Sequence, residues 1–168
     1  MPNWCSNSIE IRGSVEKVRE LWLQAKRLES QDDGQSLLEA MAPIGEWDYD
    51  RAIATWGIKW DVSLEGLEFI DTNDGNGMIT GYVDSAWGPP IEAFESYVAN
   101  NPDVFAEIKY FEPGMSFIGI WDSEGGDFCF EDVKGLLMIA EDDNEPLVNE
   151  LLEFFNAADY FDDLEEVA

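Results

Sequence analysis

The residues of this chain that could do chemistry are carboxylates: 37 Asp and Glu stand among 168 residues, with 9 Lys and Arg and no His. Paired carboxylates can exchange protons with a substrate or hold Mg²⁺, as in glycosidases and metal-dependent nucleases. At this density a close pair is expected by chance. No second class of group, such as a His, a catalytic Lys motif or a Gly-rich phosphate loop, accompanies any of them. The stretch Asp71-Thr72-Asn73-Asp74-Gly75-Asn76-Gly77 approaches a calcium loop, since Asp71 and Asn73 fall on alternate ligand positions. Gly75, Asn76 and Met78 break that pattern, and the same composition suits a hairpin turn needing positive φ. Without His, the Ser-His-Asp and Cys-His nucleophiles and any His-containing zinc or haem site are closed. Two thiols, Cys5 and Cys129, cannot build a Cys-rich metal centre, and both read as small hydrophobes of apolar strands. No catalytic residue, metal or cofactor is predicted.

The same carboxylates set the net charge at −28, a balance that in a poorly hydrophobic chain means disorder. Here 45% of residues are hydrophobic and seven are Trp, so the chain reads as a folded polyanion. Its length suggests one domain, with room for an appendage. Nothing at the N-terminus reads as a signal peptide, and no apolar run approaches the roughly 18 residues of a membrane span. An anionic membrane surface would repel the chain, and so would nucleic acid, whose phosphates are bound by Lys and Arg. The expected setting is a host cytoplasm, with cationic partners. The charge is uneven: residues 1–50 are net −5, residues 51–100 net −6 and residues 101–168 net −17. From Glu141 to Ala168 there are 11 acids and no base.

The elements that must position these charges follow from periodicity. Cys5, Ile9 and Ile11 alternate with Ser6, Ser8, Glu10 and Arg12, which predicts a half-buried strand. Ser14 is a candidate N-cap for a helix carrying Val15, Val18, Trp22 and Ala25. Residues 30–50 lack a pattern beyond Leu37, Leu38 and Met41 and read as an excursion over the surface. Two strands flank the Asp71–Gly77 turn, Pro89-Pro90 opens a second helix ended by Asn100-Asn101-Pro102, and a strand with Val104, Ala106, Ile108 and Tyr110 is followed by a further hairpin. This order predicts an α+β fold, the split β-α-β of a ferredoxin-like sandwich with its antiparallel sheet extended at one edge. Residues 1–134 form that domain, and residues 135–168 an acidic helical extension packed on it. In the extension Pro146 suits a first helical position, Leu147, Leu151 and Phe154 form a stripe, and Glu150 and Glu153 fall away from it. Trp4, Trp56, Trp60, Trp87 and Trp121 are expected mostly in the core, where aromatics supply much of the buried area.

Four motifs in order over about residues 1–130 carry a resemblance: Met1-Pro2-Asn3-Trp4-Cys5-Ser6-Asn7, Trp56-Gly57-Ile58-Lys59-Trp60-Asp61, Ser85-Ala86-Trp87-Gly88-Pro89-Pro90, and Tyr110-Phe111-Glu112-Pro113-Gly114 through Phe117-Ile118-Gly119. On these the chain resembles the YubB-type ferredoxin-like domain family of bacteriophage and plasmid accessory proteins. The resemblance implies a ferredoxin-like fold without an iron–sulfur cluster and a gene carried by a mobile element; it implies no mechanism. The acid loading and the region after about Lys134 depart from the family pattern.

That departure is where function is expected. Solubility needs only a few charges, and 28 in excess destabilise a compact state. Adaptation to high salt fits poorly with the aromatic, Ile-rich core. Carboxylates at i and i+3 or i+4 of a helix lie about 5–6 Å apart, and a rigid acidic fold can approximate the phosphates of DNA, one every 3.4 Å or so along each strand. The sequence thus predicts a non-enzymatic DNA mimic that occupies the cleft of a cationic DNA-binding host protein such as a restriction, CRISPR or nuclease defence enzyme. The expected contact residues are Glu141, Asp142, Asp143, Glu145, Glu150 and Glu153, extended by Asp159, Asp162, Asp163, Glu165 and Glu166. The alternatives are an interaction module that works through its sheet edge and Trp-rich surface and, third, a metal-dependent hydrolase. Removal of residues 141–168 is the test that separates the first two.

Overall fold

The structure, a computed structural model, describes residues 2–139 and 141–167, with side chains as far as residue 162. The elements run β1 (Trp4–Ser14), α1 (Val15–Glu29), α2 (Leu37–Met41), α3 (Tyr49–Trp56), β2 (Leu67–Asp71), β3 (Asn76–Ala86), α4 (Ile91–Asn100), β4 (Phe105–Glu112), β5 (Phe117–Asp122), β6 (Gly126–Glu131), α5 (Val133–Met138), a 3-10 turn (Glu141–Asp143), α6 (Pro146–Phe154) and α7 (Ala157–Val167). The strands form one sheet in the order β2-β3-β1-β4-β5-β6, every neighbouring pair antiparallel. The α+β class and the extended antiparallel sheet agree with the sequence reading.

Period-two patterning gives the sheet two unlike faces. On the inner face Cys5, Ile9 and Ile11 of β1, Ile79 of β3 and Ile108 and Tyr110 of β4 pack against Val18, Leu21 and Ala25 of α1 and Phe94 of α4. On the outer face Phe111 of β4 and Ile118 of β5 meet Val133 of α5, Val148, Leu151 and Leu152 of α6, and Ala157 and Phe161 of α7. Several predicted boundaries are as read: the Ser14 hydroxyl accepts the Lys17 N–H at the start of α1, Pro90 precedes α4, and Pro146 opens α6. The Asp71–Gly77 stretch is a hairpin turn, with Asn73 and Gly75 at positive φ and Asp71 accepting the Asn73 N–H. The extension, expected to hold one acidic helix, holds two, α6 and α7, and a 3-10 turn, while α5 crosses its predicted start at residue 135.

Three expectations are corrected. Residues 30–50 are a surface excursion only at their two ends: residues 30–34 and 45–50 are exposed, but the helix hinted at by Leu37, Leu38 and Met41 forms as α2 with all five residues buried, and α3 begins at Tyr49. An irregular segment can be buried only if its backbone polar groups find partners, and here side chains provide them. The Asp61 carboxylate accepts the N–H groups of Ser36, Leu38, Glu39 and Val62 at 2.7–2.9 Å. Buried Glu39 accepts Ile44 N–H and Gly45 N–H, and the Trp56 indole N–H donates to Ala42 O. Burial pushes the Asp61 carboxyl up to about 6, against the downward pull of those four donors. Secondly, of the Trp residues expected in the core only Trp56 and Trp121 are buried, while Trp4, Trp60 and Trp87 are 51%, 39% and 48% exposed. Thirdly, Cys5 is buried as read but Cys129 is exposed, because β6 is the sheet's edge strand. Partial burial still raises the Cys129 thiol, opposed by a hydrogen bond with the Tyr110 hydroxyl and helped by the carboxylates of Asp127 and Glu131.

Candidate functional site

The candidate site is the outer side of the molecule. Helices α5–α7 cover the sheet's outer face over β4–β6, where their apolar partners lie. Over β1 and β3 the outward side chains of Ser6, Arg12, Tyr82 and Asp84 are exposed.

Of the predicted contact residues, Glu141, Asp142 and Asp143 are exposed on the 3-10 turn, Glu145 at the N-terminus of α6, Glu150 and Glu153 along α6, and Asp159 and Asp162 on α7. Asp163, Glu165 and Glu166 belong to the helical span of α7, and their side chains lie outside the described residues. What holds these charges is local. Val148, Leu151 and Leu152 face the sheet with Leu147 packed beside them, so Glu150 and Glu153 face solvent. The Asn149 amide donates to Glu141 O at 2.7 Å and the Asn144 amide to Leu136 O at 3.1 Å, tying the acidic turn to α6 and α5. Glu150 differs from its neighbours. It pairs with Lys109 of β4 at 3.3 Å, and the Lys109 ammonium also lies 4.7 Å from the Phe154 ring centre. Its charge is partly spent in docking α6 rather than wholly offered to a partner.

The structure adds carboxylates that the sequence reading missed. Register places Glu68 of β2 opposite Thr80 of β3, Thr80 opposite Glu10 of β1, Glu10 opposite Glu107 of β4, and Glu107 opposite Asp122 of β5. Four acids therefore share one cross-strand row on the outer face, stepping at about 4.8 Å per strand. Like charges directly opposite each other destabilise a sheet. The Glu107 carboxyl is raised accordingly, first by burial and further by Glu10 and Asp122, with Lys109 and Arg12 pulling it down. Arg12 pairs with Glu10 at 2.6 Å and relieves part of the repulsion. Alternation in the sequence puts Glu10 and Glu107 at outward strand positions; the alignment of all four acids is set by register, which the sequence does not show.

Glu107→Gln keeps the shape and removes one charge from the middle of the row. We expect it to stabilise the protein by about 0.5–1 kcal/mol in urea unfolding at pH 7 and low salt, and by less at 0.5 M salt. A destabilised variant would mean that the row is held by hydrogen bonding that outweighs its repulsion.

Four of the nine cations sit elsewhere. Lys17, Arg19, Lys26 and Arg27 belong to α1, on the inner side, where Lys17 pairs with Asp103 and Arg19 with Asp71. Beside the acidic extension, Lys134 lies against the Phe161 ring, 5.2 Å from its centre. Arg12 and Lys109 stand on the outer face among the carboxylates, so bases are present on both sides of the sheet, but α1 carries four bases against three acids where residues 141–168 carry eleven acids and no base. Among the described residues no three carboxylates or thiols converge in a way that could hold a metal ion, and no helix is long and apolar enough to cross a membrane.

A second feature lies at the end of the sheet where β1 begins. Exposed Trp4 and Trp60 have ring centres 6.4 Å apart, and with Tyr82, Glu65 and Asp84 they line a groove of about 510 Å³. Lys59 lies over Trp60, its ammonium 4.0 Å from the ring centre. No protein-family model, curated protein or solved structure matches this chain.

Proposed function

We propose that this protein is an acidic docking protein that imitates the phosphate surface of DNA and occupies the DNA-binding cleft of a cationic host protein, such as a restriction, CRISPR or nuclease defence enzyme. One observation carries the reading: exposed carboxylates of the 3-10 turn, α6 and α7 stand on elements fixed by a core of their own, beside a row of acids in the sheet. A flexible acidic tail could not keep charges at set distances; helices docked through Val148, Leu151, Leu152 and Phe161 do. The row is kept at a cost in stability, which argues for a use outside the fold. Clefts that bind duplex gather phosphate-contacting Lys and Arg and are the natural complement of such a surface.

The strand order β2-β3-β1-β4 with its two helical crossovers supports reading the body as a ferredoxin-like split β-α-β, to which β5 and β6 add an edge. Together with the four sequence motifs, it supports kinship with the YubB-type domains of mobile elements. On this reading the protein is not an enzyme and works in a host cytoplasm. The alternative, an interaction module unrelated to DNA, is favoured by the exposed Trp residues beside Tyr82.

The test is competitive capture. The immobilised protein, exposed to bacterial lysate at about 50 mM salt, is expected to retain DNA-binding proteins that duplex DNA then releases. Retention of partners that ignore added duplex would favour the alternative and sink mimicry. Removal of residues 141–168 does not separate the readings, because it would uncover Phe111 and Ile118 and remove half of the outer core.

A further inference from the structure

We propose that the groove between Trp4, Trp60 and Tyr82 is the arginine-reading part of the docking surface, taking guanidinium side chains of a basic protein segment. The inference rests on the acidic docking reading and adds to it a side-chain preference that charge alone does not give. Large exposed aromatics are ordinary singly and informative in groups. Here Trp4, at 51% exposure, contacts Trp60, and Tyr82, at 61%, stacks on Phe154 of α6 with ring centres 6.4 Å apart. The groove therefore adjoins the acidic extension. Its rim is anionic: Asp84 accepts a weak hydrogen bond from the Ser6 hydroxyl at 3.3 Å, and Glu65 stands exposed.

Indole faces attract cations, and the chain's own Lys59 lies over Trp60, a contact that an incoming guanidinium on that face would replace. A guanidinium uses such a setting better than an ammonium does. It is planar and stacks flat, is weakly hydrated, and presents a fork of N–H donors that a carboxylate such as Asp84 or Glu65 can accept in pairs. A volume of about 510 Å³ is room for one or two such side chains. The DNA-binding surfaces proposed as partners are rich in arginine as well as lysine. A mimic that stacks arginine on indole would gain an anchor less sensitive to salt than its charges are.

The experiment compares octa-arginine with octa-lysine, each labelled with fluorescein, by anisotropy at 50 and 200 mM salt. The full-length protein should bind octa-arginine about five- to tenfold more tightly than octa-lysine. Trp4→Ala and Trp60→Ala should abolish most of that preference while leaving octa-lysine binding within twofold, and Trp60→Phe should restore part of it. Both rings are exposed, and near-ultraviolet circular dichroism checks that the variants stay folded. Undiminished arginine preference in both alanine variants overturns the groove and leaves the acidic reading intact. Equal binding of the two peptides by the unmodified protein overturns it as well. Absence of binding to either peptide at 50 mM salt overturns the acidic reading and the groove with it.

Discussion

Asp61→Ala is expected to lose about 3–4 kcal/mol of unfolding free energy at pH 7. The carboxylate accepts four backbone N–H groups, three of them at the start of α2, and nothing else in the segment replaces it. Each buried donor left unpaired costs about 1–3 kcal/mol, reduced where relaxation or water reaches it. Because α2 is buried throughout and packs with α1 and α4, its loss should loosen the inner core as a whole. Urea unfolding measures the loss, and amide exchange should show α2 deprotected first. A loss below about 1 kcal/mol would reject the carboxylate as organiser of this segment. The same group shapes the pH dependence. Its folded value of about 6 lies above the ordinary 3.8, so the folded protein takes up the proton before the unfolded chain does. Its contribution is full below about pH 4 and lost as pH rises through 6. Stability should therefore climb as pH falls from 7.5 to 5, and the Asp61→Ala variant should show a shallower climb.

The largest functional effect should come from salt. If the acidic surface docks in a cationic cleft, affinity for the captured partner should fall by about 10² between 50 and 200 mM salt, a slope gentler than that of DNA because no condensed counterion layer is released. Neutralising Glu141, Asp142, Asp143, Glu145 and Glu153 together as Gln or Asn should cost about tenfold or more at 50 mM and flatten the slope. These residues are exposed and lie off the apolar stripe of α6, so the variant should fold at least as stably as the original. Glu150→Gln, which breaks the Lys109 pair, should act differently, loosening α6 more than it changes the slope. Titration calorimetry across salt concentrations reads both quantities. An affinity that is flat across salt, or unmoved by five neutralisations, excludes this surface as the contact.

Local signals were legible where chemistry and element coincide. The alternation of β1, the Ser14 cap, the turn at Asp71–Gly77 and the Pro146 start are each written within a few residues. The burial of α2 was not, since the carboxylate that permits it stands 25 residues beyond Ser36. The carboxylate row was hidden for a similar reason: Glu10 and Glu107 are 97 positions apart and meet only through register. The exposed indoles of Trp4 and Trp60 misled because residue type predicts burial only on average, and a residue at the end of a sheet can stack on its neighbour without being covered. For the C-terminal acids, the sequence indicated an amphipathic helix but not that three helices share a core against Phe111 and Ile118.

The near balance of charge on α1, four bases against three acids, and the eleven acids without a base after residue 140 give the molecule an electric axis as well as a charge. In the field of a cationic cleft such an object is turned as well as drawn, with α1 trailing and the extension leading. Fewer first collisions are then wasted on the wrong side, so the layout of charge should govern how fast a complex forms, while the groove at Trp4 and Trp60 governs how long it lasts.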